Sequence, residues 1–243
     1  MTLLLASVAD AGEAQTALAA GVDVIDAKDP SAGTLGAVSI SNLAAIVASA
    51  RGHCPVSATV GDLPMQPTGL LAAAVRTAEI GVDFVKIGLF NGDERLACID
   101  ALRAVSDRAA LVAVMFADQH PPIHLIPLLA RAGFRGVMLD SADKRRGGLR
   151  ELADESVLAA FLASARDHGL LCGLAGSLRR EDIEPLLDLG PDILGFRGAL
   201  CEAQVRTAPL ADNACRAIRS CIARDDRTAR RLRPNRSSDC RAA

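Results

Sequence analysis

Two stretches decide the fold: GVDVIDAKDP at residues 21–30 and GVDFVKIGLF at residues 81–90. Each opens on a glycine suited to the left-handed position just beyond a helix C-terminus. Each then runs into a short apolar segment of strand length. Gly133 and Gly190 open two more such stretches, and three of the four glycines are followed by x-Asp. The spacings of about 60, 52 and 57 residues match two strand–helix units each, the mark of an internal repeat.

Working outward from these glycines, eight strands are predicted: Leu3–Val8, Val22–Lys28, Val56–Val60, Val82–Gly88, Leu111–Ala117, Gly136–Asp140, Leu170–Ala175 and Ile193–Arg197. Helix-period segments such as GEAQTALAAG, LLAAAVRTAEIG and SVLAAFLASARDHG lie between them. Strand–helix alternation argues for a parallel sheet. Eight units argue for a closed α/β architecture, a single-domain (β/α)8 TIM barrel over residues 1–223, with a doubly wound open sheet as the alternative.

Strand side chains alternate faces, so residues five and seven beyond each glycine share one face. Five on stand Asp26, Lys86, Met138 and Gly195; seven on stand Lys28, Gly88, Asp140 and Arg197. The residues between them, such as Ile25, Ala27, Val85 and Ile87, are apolar and suit helix packing. The odd offsets therefore point into the barrel, where alternate strands contribute layers of four side chains. Charges there are costly unless paired or functional. This placement gathers Asp26, Lys28, Lys86, Asp140 and Arg197 at the C-terminal mouth.

Only three lysines occur in the chain, Lys28, Lys86 and Lys144, against 24 arginines. A compositional bias toward arginine explains the scarcity but not the placement. An amine can lose its proton and attack a carbonyl, whereas a guanidinium cannot. A lysine near a second cation in a partly desolvated mouth becomes a nucleophile, with Asp26 and Asp140 as proton shuttles or orienting carboxylates. A network of internal salt bridges is the structural alternative. Lys144 lies in LDSADKRRGGLRE, a basic loop with paired glycines suited to closing over an anionic substrate as a lid, with a solvated charged loop as the alternative. Phosphate recognition is suggested by LAGSL after the seventh strand and GFRGAL after the eighth. There Gly176, Ser177 and Gly198 would offer backbone N–H groups and Arg197 a two-pronged contact. Asp62 and the Asp118–His120 pair are weaker candidates at the mouth.

Composition narrows the function classes. The net charge of −2 gives no general attraction to nucleic acid or anionic membrane, and six Phe with no Trp or Tyr argue against base stacking. Seven cysteines form no CxxC pair, and the histidines show no ligand spacing, so no metal and no cofactor are expected. No Gx4GK[ST] or strand-linked GxGxxG is present. The opening MTLLLASVADAGE lacks a basic n-region, so a cytoplasmic protein is expected, with no membrane span. The Arg-rich segment 224–243 is too polar to build a core and is expected to be a disordered tail.

The blocks DAKDPSAGTLGA (26–37), VSATVGD (56–62), DFVKIGL (83–89), MLDSADK (138–144), LAGS (174–177) and GFRGALC (195–201) together resemble the (5-formylfuran-3-yl)methyl phosphate synthase family, from about residue 3 to 202. The resemblance implies a (β/α)8 barrel that condenses two molecules of glyceraldehyde 3-phosphate into a furan precursor of methanofuran-type one-carbon carriers. It implies that Lys28 is the Schiff-base lysine, with Asp26, Lys86, Asp140 and Lys144 on the other catalytic positions. It also implies a lyase of small-molecule metabolism, and a homo-oligomer is expected. A class I aldolase on another sugar phosphate, or a non-catalytic phosphate-metabolite-binding barrel, would share many of these features.

Overall fold

The computed structural model describes residues 2–223, and the predicted tail at 224–243 lies outside the described residues. Eight parallel strands run β1 (Leu3–Val8), β2 (Val24–Ala27), β3 (Val56–Thr59), β4 (Phe84–Gly88), β5 (Ala110–Phe116), β6 (Gly136–Asp140), β7 (Leu171–Leu174) and β8 (Ile193–Phe196). They pair in sequence order and β8 pairs with β1, which closes the barrel and removes the open-sheet alternative. Helices alternate with them: α1 (Ala11–Ala19), α2 (Ile40–Ala50), α3 (Pro67–Glu79), α4 (Arg95–Leu102), α5 (Ile126–Arg131), α6 (Leu149–Leu152), α7 (Glu155–Asp167), α8 (Ile183–Asp188) and α9 (Asp212–Cys221).

The glycine repeat has a physical basis. Gly21, Gly81, Gly133 and Gly190 all adopt positive φ, between 68° and 89°, where a side chain would be strained. The aspartate two residues on then satisfies a strand start. Asp23, Asp83 and Asp192 accept hydrogen bonds from the backbone N–H groups of Leu4, Val56 and Cys172. Helix stop, turn and strand register are thus encoded in three residues.

Two apolar clusters sit on the two faces of the sheet. The larger lies between strands and helices and includes Ile25, Val85, Ile87, Val137 and Leu139, the even-offset residues. The smaller fills the barrel with Leu3, Leu5, Val24, Phe84, Val114, Met138 and Leu171. Leu35, from the loop after β2, and the stacked rings of Phe90 and Phe116, with centroids 4.7 Å apart, add to the interior cluster. The interior is therefore apolar at its base and polar at its C-terminal end. No helix among the described residues is long and apolar enough to cross a membrane.

Candidate active site

The odd-offset residues do meet. Asp26 is fully buried and accepts from Ser7 Oγ at 3.0 Å, from Ser57 Oγ at 2.6 Å and from Lys86 Nζ at 3.0 Å. One layer nearer the mouth, Lys28, two residues beyond Asp26, places its Nζ 3.5 Å from Asp140 at the end of β6. The other Asp140 oxygen receives Lys144 Nζ at 2.5 Å, and that ammonium also donates to the Ser141 carbonyl and hydroxyl oxygens. One carboxylate thus holds two ammonium groups, and all three lysines of the chain converge on one pair of aspartates.

Electrostatics separate their roles. Burial lowers the Lys28 pKa to about 8, Lys144 and Lys86 push in the same direction, and Asp140 offsets them only in part. At pH 7 roughly a tenth of such a group is free amine, a few hundred times more than for an ordinary lysine. Burial alone would raise the Asp140 carboxyl, but the Lys144 and Lys28 ammoniums hold it well below the usual carboxylate range. Asp140 is therefore held as an anion in contact with two ammonium groups.

Around this centre lies a cavity of about 310 Å³, whose lining includes Lys28, Lys86, Asp140 and Lys144 together with Gly176, Ser177, Gly198 and Arg206. Gly176, at φ 112°, passes so close to Asp140 that an added Cβ would lie 2.9 Å from the Ser141 nitrogen. Ser177 follows at φ 49°, a strained conformation for a residue with a side chain. The two turns expected to hold phosphate thus line the same cavity as the lysines.

Arg197 departs from expectation. It lines the cavity, but β8 ends at Phe196 and all five guanidinium donors are engaged within the protein. Two go to the Glu13 carboxylate, and the others reach the carbonyls of Ser7, Arg206 and Ala208. Its two-pronged contact is with a carboxylate of α1 rather than with solvent or the cavity. Asp62 and Asp118 are clamps as well. Asp62 accepts from the N–H groups of Thr34 and Leu35 in the loop after β2. Asp118 accepts from those of Ala142 and Asp143 in the loop carrying Lys144. Thr34 Oγ1 then donates to the Ala142 carbonyl, tying the two loops together at 2.7 Å. His120 takes a left-handed turn beyond Asp118 and has no shown contact with the lysines. Glu13, Thr34 and the clamp role of both aspartates escaped the sequence reading, since each acts through loop partners far away in sequence.

A site of this kind, a cationic cavity with three lysines and two aspartates at the C-terminal mouth of a (β/α)8 barrel, sits where that architecture carries its catalytic groups. The fold alone is shared with solved barrels such as 3-hexulose-6-phosphate synthase from Salmonella typhimurium (TM-score 0.68, 16% identity, 90% of this chain and 98% of that one). Sequence goes further. The family model described as 4-HFC-P synthase matches residues 4–219. The (5-formylfuran-3-yl)methyl phosphate synthases of Methanothermobacter thermautotrophicus and Methanocaldococcus jannaschii are 37% and 36% identical, each over 82% of this chain and 89% and 90% of their own. A Methylorubrum extorquens protein provisionally named for the same synthase is 44% identical over 85% of this chain and 86% of its own. The chain belongs to the 4-HFC-P synthase family and is an enzyme. Among the described residues no cluster of His, Cys, Asp and Glu is suited to a metal ion.

Proposed function

We propose that this enzyme joins two molecules of glyceraldehyde 3-phosphate through a Schiff base on Lys28, giving (5-formylfuran-3-yl)methyl phosphate. The observation that carries this reading is the shared Asp140, which holds Lys144 at 2.5 Å while leaving Lys28 at 3.5 Å with a pKa of about 8. Lys28 then combines an amine available near neutrality with an ion pair that is easily released.

The atoms balance. Two C3 phosphates supply the six carbons, and one phosphate and two waters leave. Free Lys28 amine adds to the aldehyde of one triose and water departs, giving an iminium. The iminium acidifies the neighbouring carbon, and loss of that proton lets the phosphate one carbon further on depart. The resulting three-carbon unit bonds to the central carbon of the second triose, once that triose has isomerised from aldehyde to ketone, and ring closure with loss of two waters makes the furan aromatic. Lysine is regenerated when the iminium is hydrolysed. In this reading Lys86 and Lys144, hydrogen-bonded to Asp26 and Asp140, carry the proton transfers. The turns at Gly176–Ser177 and Gly198 offer backbone donors to a phosphate.

The reaction class is a carbon–oxygen lyase, and it supplies a furan for methanofuran-type carriers. A cytoplasmic location and self-association accompany this reading. Incubation with glyceraldehyde 3-phosphate, with borohydride added to half the sample, tests it. Furan absorbance and a reduced adduct at Lys28 are expected together. An adduct without furan would make the protein an aldolase, and neither would leave only a phosphate-metabolite binder.

A further inference from the structure

The cavity holds a cation that the reaction above does not use. The cavity walls carry Lys28, Lys86, Lys144, Arg179, Arg197 and Arg206 against only Asp26 and Asp140. Arg197 is neutralised by Glu13, the three lysines share the two aspartates, and Arg179 lies 4.0 Å from both Glu151 and Glu181. Arg206 has no carboxylate within ion-pair distance among the described residues. Its sole hydrogen bond there is a long one, 3.4 Å from Nη2 to the Gly33 carbonyl.

The loop that carries Arg206 is built to hold it in place. Cys201 and Leu210 close the loop with an antiparallel bridge, and Glu202 N–H donates to the Pro209 carbonyl at 3.0 Å. Ala203 and Gln204 are consecutive left-handed residues at φ 49° and 58°, a strained pair that needs outside support. Arg197 provides it, donating at 2.9 Å to the carbonyls of both Arg206 and Ala208. Arg197 thus gives two of its five donors to the backbone of the loop that carries Arg206, whose own guanidinium is nearly free. Arg206 reaches from the loop after β8 across the mouth to Gly33 in the loop after β2. The Gly176–Ser177 turn follows β7, so the guanidinium stands toward the β2 side of the cavity, away from that turn.

We infer that Arg206 forms a second phosphate subsite, distinct from the Gly176–Ser177 turn after β7, which holds the phosphomonoester of the second triose. This deepens the two-triose reading and rests on it. When the second triose enters before the phosphate eliminated from the first has left, two dianions share one cavity, and a second anion site offsets their repulsion. The guanidinium fork suits a phosphate, and the weak Gly33 contact is easily exchanged for it. Arg197 is then a positioning residue for Arg206.

Binding and turnover test the inference separately. Glycerol 3-phosphate carries the phosphate but no carbonyl. By calorimetry it is expected to bind two equivalents per chain in the wild type and one in Arg206→Gln. Arg206→Lys keeps the charge and should weaken one of the two equivalents only. In turnover, Arg206→Gln should raise the glyceraldehyde 3-phosphate concentration for half-maximal furan formation by roughly 10- to 100-fold. The concentration dependence of the borohydride-trapped Lys28 adduct should not change. One equivalent in the wild type, two unaltered equivalents in Arg206→Gln, or trapping and furan formation weakened together would each overturn the subsite. If the wild type makes no furan, the two-triose reading fails, yet the calorimetric count still decides whether Arg206 binds phosphate.

Discussion

Lys86 and Asp26 meet at 3.0 Å inside the barrel, whereas Lys28 and Asp140, one layer nearer the mouth, stand 3.5 Å apart. Both pairs are buried, and both sit on inward positions of even-numbered strands or at their C-terminal ends. Their surroundings differ. Asp26 also accepts two serine hydroxyls, so the deeper pair is a closed, satisfied unit. Asp140 instead divides itself between Lys28 and Lys144, leaving Lys28 the weaker share and a pKa of about 8. Two lysine–aspartate pairs can thus be a closed, tightly held ion pair or a poised nucleophile, depending on what else the carboxylate holds.

The largest test of this contrast exchanges the amines. Lys28→Arg keeps the charge beside Asp140 but removes the transferable amine, so adduct and furan should both fall to background by mass spectrometry and absorbance. Lys86→Met should still form the adduct at Lys28 while furan formation drops roughly 10²- to 10⁴-fold, the range for a lost proton-transfer group. Equal loss of adduct in both variants would break the distinction.

Next in size is the stability difference between the carboxylates. Asp26→Asn leaves Lys86 buried without its counter-ion and should cost about 3–5 kcal/mol in chemical denaturation. Asp140→Asn should cost less. Without Asp140, Lys28 loses the interaction that raises its pKa and can shed its proton rather than remain a buried charge. Equal costs would argue that the upper pair is as closed as the lower one.

The smallest effect is a shift in pH dependence. Lys144 lowers the Lys28 pKa by like-charge repulsion, and removing it also leaves Asp140 to Lys28 alone. Lys144→Met should therefore move the Lys28 titration upward from about 8. At pH 7 less free amine remains and adduct formation slows, and raising the pH should restore it. A downward shift would contradict the sign of the coupling.

Much of the site was legible because period-2 alternation turns residue spacing into direction. Counting five and seven from Gly21, Gly81 and Gly133 placed Asp26, Lys28, Lys86 and Asp140 together, and Lys144 followed one helical turn beyond Asp140. The same count failed for Arg197. It leaves the strand at φ −136°, ψ −69°, and its environment depends on Glu13, from a helix 184 residues away. Strand alternation cannot foresee such a partner. The clamps at Asp62 and Asp118 escaped for the same reason, since the N–H groups they accept from lie in other loops. The predicted strands β2 and β4 began two residues early because the Asp of each GVD turn bonds a neighbouring strand instead of extending its own.

The central claim is that Lys28 alone combines burial with a weakly held ion pair. Because the chain has only three lysines, ε-¹³C labelling should give three resolvable signals. Titrated by NMR, one signal is expected to show a midpoint near pH 8 and to be missing in Lys28→Arg. If no lysine titrates below about 10, or if the signal near 8 survives in Lys28→Arg, the account of the nucleophile is wrong.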